Sequence, residues 1–163
     1  MRSMRATITL ATAVILLAGC TLLDRSSSNS ACEAVGSAKV SDALDREIEA
    51  KPSPIEGGFY SCNYFLHSPR QVLAGLSLYE EEASRHFASD RADYGEVPGG
   101  EILDEDLGMR AYLSVDPNVA LAGALDGDRY FIVDIFVDRN GETPEAAGEA
   151  AVRLLQAAVD AED

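Results

Sequence analysis

The chain has few of the side chains that bind transition metals or act as nucleophiles. It contains two histidines, His67 and His86, and three cysteines. The histidines fall on different predicted elements, and each cysteine has another predicted role, described below. A zinc site or a cysteine nucleophile is therefore not expected, and we expect no cofactor.

Positive charge is also scarce. Thirteen basic residues stand against 28 acidic ones, which gives a net charge of -15. Because phosphate binding needs basic groups, nucleic acid is not an expected partner. The acidity is compatible with a cationic partner, with cation binding, or with a solvated surface. The spread of the acids along the chain favours the solvated surface.

No apolar run is long enough for a membrane span. The run Ala6–Gly19 follows Arg2 and Arg5, the order found in secretory signal peptides, and it is shorter than the roughly 20 residues that cross a bilayer. It ends in Leu17-Ala18-Gly19-Cys20, which resembles the lipobox of bacterial lipoproteins. Residues 1–19 are thus predicted to be removed and Cys20 to be lipidated; the alternative is an ordinary secretory cleavage site.

The predicted lipidation of Cys20 also indicates the compartment. Two acyl chains hold a protein stably at a bilayer, so the mature chain is expected on the extracytoplasmic face of the cell membrane. Residues 20–31 are predicted to be the lipidated cysteine and a Ser-rich tether, and residues 32–163 a single domain. In this oxidising compartment the remaining pair, Cys32 and Cys62, is expected to form a disulfide, with two free buried thiols as the alternative.

Hydrophobic periodicity predicts an α+β domain. It is expected to hold a largely antiparallel sheet of about five strands, covered by two or three helices. The helices are predicted from Ser37 to the prolines after Lys51, from Glu80 to about Tyr94, and from Thr143 onward. The strands are predicted at 59–66, 72–79, 109–115, 119–125 and 129–137, and Asp126-Gly-Asp128 is a hairpin turn.

Catalytic motifs are weak. Gly75-Leu-Ser77-Leu-Tyr79 lacks the second glycine of a nucleophile elbow. Asp104-Glu105-Asp106 and Asp126-Gly-Asp128 lack the spacing of an EF-hand loop and are interpreted as turns, although they could bind calcium. Asp134 interrupts an apolar strand, which predicts either a partly solvated sheet face or a groove with one carboxylate.

Several of these features together resemble a known group of proteins. Cys32 opens the domain, Cys62-Asn-Tyr64 follows about thirty residues later, and Leu107-Gly-Met-Arg-Ala-Tyr112 precedes a strand pair and an alanine-rich helix. Over residues 31–161 the chain resembles short exported lipoproteins of actinobacteria that are grouped as a domain of unknown function. The resemblance implies an envelope module that binds a ligand.

The expected function is therefore non-enzymatic. We expect a binding or interaction module of the cell envelope, held at the membrane by its lipid, with an envelope protein or an apolar small molecule as partner. The alternative is a cell-envelope hydrolase.

Overall fold

The computed structural model describes residues 30–53, 59–66, 71–96, 98–141 and 143–161. Its centre is one antiparallel sheet with the spatial order β1-β2-β3-β7-β6-β5-β4. The strands are β1 (Ile48–Ser53), β2 (Phe59–Leu66), β3 (Val72–Tyr79), β4 (Gly100–Ile102), β5 (Arg110–Val115), β6 (Val119–Asp126) and β7 (Arg129–Phe136). The predicted leader, Cys20 and His67 lie outside the described residues.

Six α-helical segments accompany the sheet in these ranges. They are α1 (Ser30–Ala34), α2 (Ser37–Leu44), α3 (Ala83–Asp90), α4 (Asp104–Leu107), α5 (Val137–Asn140) and α6 (Pro144–Val159), and α3 continues into a π-helical turn, Arg91–Gly95. Of the helices described here, none is both long and apolar enough to cross a bilayer.

The prediction of about five strands covered by two or three helices is wrong. The described sheet has seven strands. The described residues also form three helices of at least eight residues and three shorter ones. Ile48–Ser53 was expected to continue the helix that begins at Ser37. Instead Asp45 adopts a left-handed conformation (φ 51°), and its amide donates a hydrogen bond to the carbonyl oxygen of Asp42. This conformation ends α2.

The chain then forms β1 at an edge of the sheet, paired with β2. Pro52 is tolerated there because one side of an edge strand has no partner to which an amide must donate. The other unexpected strand, β4, has three residues and lies where no strand was predicted. At Gly100 a Cβ would collide with the carbonyl of Tyr94, so the close approach needs glycine.

The main core lies between one face of the sheet and α6. Alternate residues of the central strands point to this face. Alanines line it on β6 and are frequent on the buried side of α6, which lets helix and sheet lie close together. Thr143 caps the helix by accepting a hydrogen bond from the Ala146 amide at 3.3 Å, and Pro144 occupies its first turn. The fully buried partners include Ala120, Ala122, Ala124, Val133, Ile135, Ala147, Ala151, Leu154 and Leu155.

The opposite face is covered at one end by α3, where Phe87 packs on Tyr112 and Tyr130. The predicted disulfide is confirmed: Cys32 on α1 is bonded to Cys62 on β2, with a Cα–Cα distance of 5.0 Å. It joins the start of the described chain to the sheet.

Candidate binding groove

A groove of about 840 Å³ opens between α6 and the strands β4 and β5. Leu103, Leu113 and Val115 supply apolar surface from the sheet side, and Gly148 and Val152 supply it from the helix. Leu113 and Val115 pair with Ala122 and Ala120, so they point to the same face of the sheet as the buried alanines. The groove therefore continues the apolar core to the surface.

Gly148 determines how closely the helix approaches β5. A Cβ at this position would lie 3.0 Å from Val115 Cγ2 and 3.7 Å from Leu113 Cδ2. The first distance is tighter than ordinary van der Waals contact, so the absence of a side chain lets α6 lie against β5. Val152 lies one turn further along the same face of the helix and borders the groove with its side chain half-buried.

The rim of the groove is acidic. Exposed carboxylates come from β4 (Glu101), from the turn after β5 (Asp116) and from α6 (Glu145 and Glu149), with Arg153 as the basic residue among those that line it. Asp116 is engaged in its turn, where one oxygen accepts the amides of Asn118 and Val119. The groove thus combines an apolar floor with a negative border.

Arg153 is held beside the rim by two contacts. Its Nε donates to the carbonyl oxygen of Ala43 at 3.1 Å, and its Nη1 lies 3.9 Å from Glu149 Oε2. By contrast, Glu101 and Glu145 form no ion pair within the described part of the chain. Two carboxylates at the rim are consequently left without a counter-charge from these residues.

The residues considered for catalysis lie elsewhere. His86 packs against Tyr79 with ring centroids 4.7 Å apart and the rings tilted by 33°. Ser77 lies on the face opposite α6, as its pairing with Ile132 indicates. Across the ranges that the structure describes, no three His, Cys, Asp or Glu side chains are grouped to hold a metal ion. Neither His86 nor Ser77 lines the groove.

The two acidic segments considered for calcium make structural contacts. Asp104-Glu105-Asp106 was interpreted as a turn but lies in the short helix α4, whereas Asp126-Gly-Asp128 is the predicted hairpin turn. Both carboxylate oxygens of Asp104 accept from Arg91 Nη1, at 2.9 and 2.8 Å, and Oδ1 also accepts the Ala111 amide at 2.7 Å. Burial alone would raise the pKa of Asp104, but these donors lower it below its usual value. Asp126 closes the β6–β7 hairpin, where Gly127 has φ 58°.

Asp134 lies half-buried on the face opposite α6, paired with Gly75 on one side and Leu121 on the other. Its carboxylate covers Gly75, where a Cβ would lie 2.5 Å from Asp134 Oδ1. Burial raises the pKa of Asp134. The carboxylate therefore lies on the sheet face opposite α6, outside the groove.

A buried hydrogen-bond chain fixes α3 on that face, and the sequence reasoning missed it. Tyr130 donates its hydroxyl proton to Asp90 Oδ2 at 2.8 Å. The Tyr112 hydroxyl lies 2.7 Å from the Tyr130 hydroxyl and must be the donor, because Tyr130 has one proton to give. Asp90 is far in the sequence from Tyr112 and Tyr130. Hydrophobic periodicity alone therefore does not reveal this hydrogen-bond chain.

Comparison with known proteins does not assign the groove. A scan against known protein families finds no match, and a search of curated proteins finds none either. Function is therefore inferred from the residues of the groove and from the predicted leader and lipidation site.

Proposed function

We propose that the chain is an exported lipoprotein, anchored through Cys20 at the extracytoplasmic face of the cell membrane, and that its domain is a non-enzymatic binding module. Three sequence features support this: the basic start of the leader, the apolar run Ala6–Gly19, and the lipobox-like Leu17-Ala18-Gly19-Cys20. The resemblance to exported actinobacterial lipoproteins also supports it.

The groove beside α6 is the proposed ligand site, and its apolar floor carries the proposal. Its volume of about 840 Å³ lies within the roughly 300–1,000 Å³ of typical small-molecule sites, which are concave and mostly apolar. Leu113, Val115 and Val152 are each only half-buried, so an apolar ligand there would remove hydrophobic surface from water, which is favourable.

The position of the anchor suits such a site. The disulfide attaches the start of the domain to β2, and the groove is built on β5. The strand order places four strand spacings between β2 and β5, or about 20 Å at roughly 5 Å per strand. The tether would therefore join the domain away from the groove and leave its opening accessible to a ligand.

The anchor can be tested by mass spectrometry of the N-terminal peptide together with cell fractionation. We expect a diacylated Cys20 and a protein in the membrane fraction, and we expect Cys20→Ser to lose both. An unmodified thiol at Cys20 in protein that is free in the medium would contradict the anchor.

The ligand site can be tested by NMR of the lipidated protein in nanodiscs, with labelled Ile, Leu and Val methyl groups. The neutral apolar probe 1-adamantylmethanol should shift the methyl signals of Leu113, Val115 and Val152, and leave Leu121 and Ile132 on the opposite face unchanged. Val152→Trp, which fills the groove, should abolish these shifts, whereas Ile132→Trp places a tryptophan on the opposite face and should not. Shifts confined to the opposite face, or no shifts, would contradict the proposal.

A further inference from the structure

We propose that the ligand of the groove is a small organic cation with an apolar body, rather than a neutral or anionic molecule. This inference rests on the proposed function, since it specifies the chemical class of ligand for the same groove. The observation behind it is charge complementarity: the apolar floor is bordered by Glu101, Glu145 and Glu149.

Glu101 and Glu145 are the carboxylates best placed to meet a cation. They lie on opposite sides of the groove, one on β4 and one in the first turn of α6, and both are exposed. Neither forms an ion pair with a residue that the structure describes. Directly across from Glu101 lies the floor residue Leu113, so one ligand could place an apolar body on the floor and a cationic group at the rim.

The two features that would favour an anion are already occupied. Arg153 donates to the Ala43 carbonyl and lies 3.9 Å from Glu149 Oε2, so a neighbouring carboxylate offsets part of its charge. The N-terminus of α6 attracts negative charge, but Thr143 accepts the Ala146 amide there and Glu145 provides an acid in the same turn. The surplus charge at the groove is therefore negative.

The charge of the whole chain acts in the same direction. A net charge of -15 repels anions and raises the local concentration of cations near the surface. This long-range effect weakens as salt is added, because the Debye length falls to about 3 Å at 1 M ionic strength. A preference for a cationic ligand should accordingly be strongest at low salt.

The experiment compares three probes that share one apolar body: 1-adamantylmethylamine, 1-adamantylmethanol and 1-adamantanecarboxylate. The lipidated full chain in neutral phosphatidylcholine nanodiscs is titrated with each, and dissociation constants are taken from the methyl shifts of Leu113, Val115 and Val152. At low salt we expect the amine to bind about fivefold tighter than the alcohol, the size expected for partly solvated charge pairs, and the carboxylate to bind weakest. In 0.5 M NaCl this difference should shrink.

Charge variants test whether the rim is responsible. Glu101→Gln and Glu145→Gln together should bring the amine and the alcohol to nearly equal affinity.

The matched control changes the net charge by the same amount away from the groove. Glu33→Gln and Glu81→Gln alter two exposed acids that do not line it, and the preference for the amine should persist in this variant.

The outcomes separate the two proposals. Equal binding of the amine and the alcohol in the native chain, or tightest binding of the carboxylate, would overturn the cation preference and leave the groove as an apolar site. A preference that survives the rim variant but is lost in the control variant would also overturn it. If no probe moves the three methyl signals, the groove itself is not a ligand site.

Discussion

The disulfide between Cys32 and Cys62 should supply a large part of the free energy of unfolding. The two cysteines are 30 residues apart, and in the chain-entropy model a closed loop of this length stabilises a fold by about 3.5 kcal/mol at 25 °C. Domains of this size are stable by only about 5–15 kcal/mol in total. Reduction should therefore leave the domain folded but much closer to its unfolding transition.

The measurement is urea unfolding, followed by circular dichroism, with and without a reductant. With a urea m-value of about 2 kcal/mol/M, the loss of about 3.5 kcal/mol corresponds to a midpoint lower by about 2 M. The double variant Cys32→Ala/Cys62→Ala is the control. Its midpoint should resemble that of the reduced protein, and reductant should not lower it further.

Equal midpoints for the oxidised and reduced protein would refute this reasoning. They would mean that the unfolded chain keeps the segments of α1 and β2 equally close whether or not the covalent bond is present. A reductant effect that persists in the double variant would show that the reductant acts elsewhere.

Three further predictions concern single side chains and are checked by urea unfolding. Tyr130→Phe removes the donor to Asp90 and leaves the buried Tyr112 hydroxyl without its acceptor, so it should cost about 2–3 kcal/mol. Gly123→Ala places a Cβ 2.5 Å from Tyr112 Cε1 and should cost about 1–3 kcal/mol through overpacking. Burial raises the pKa of Asp134 in the folded state, so its favourable contribution is complete below the unfolded pKa and is lost as pH rises through the folded pKa. Asp134→Asn should therefore be more stable than the native chain near pH 7 and lose this advantage near pH 3.

Each of these predictions has its own contrary outcome. A Tyr130→Phe variant as stable as the native chain would show that the hydroxyl chain does not hold α3. An unchanged midpoint for Gly123→Ala would show that the Tyr112 ring moves at no cost. For Asp134→Asn, the same difference from the native chain at both pH values would indicate that protonation of this carboxyl group is not involved.

Strong local patterns predicted several elements well. The alternation in Phe59–Leu66 and Val72–Tyr79 corresponds to β2 and β3 with the same bounds, because one face of each strand is buried by the core. The helix predicted from Thr143 onward is also present as α6, with Thr143 as its cap. These signals are contained within a few consecutive residues and do not depend on the rest of the fold.

The two strands that the sequence reasoning missed depend on partners elsewhere in the chain. Ile48–Ser53 has apolar residues that continue the helical spacing of α2, and only the left-handed Asp45 and pairing with β2 make it a strand. Gly100–Ile102 is too short to show a period. Tertiary pairing overrides local preference in both cases.

The groove could not be predicted for a similar reason. Glu145 and Glu149 lie on the exposed side of α6, but their proximity to Leu113 and Val115 depends on where the helix crosses the sheet. Gly148 is the single local sign, since a glycine within an alanine-rich helix indicates a close contact. The sequence does not show that the contact is with β5.

Photo-crosslinking on intact membranes tests most directly whether the groove is the ligand site of an anchored protein. The probe is a benzylamine that carries a diazirine on its ring, and labelled peptides are identified by mass spectrometry. We expect label on the segments that contain Leu113, Val115 and Val152, in protein from the membrane fraction, and loss of that label in Val152→Trp. Label on the opposite face of the sheet, or equal labelling of the native chain and Val152→Trp, would contradict this account.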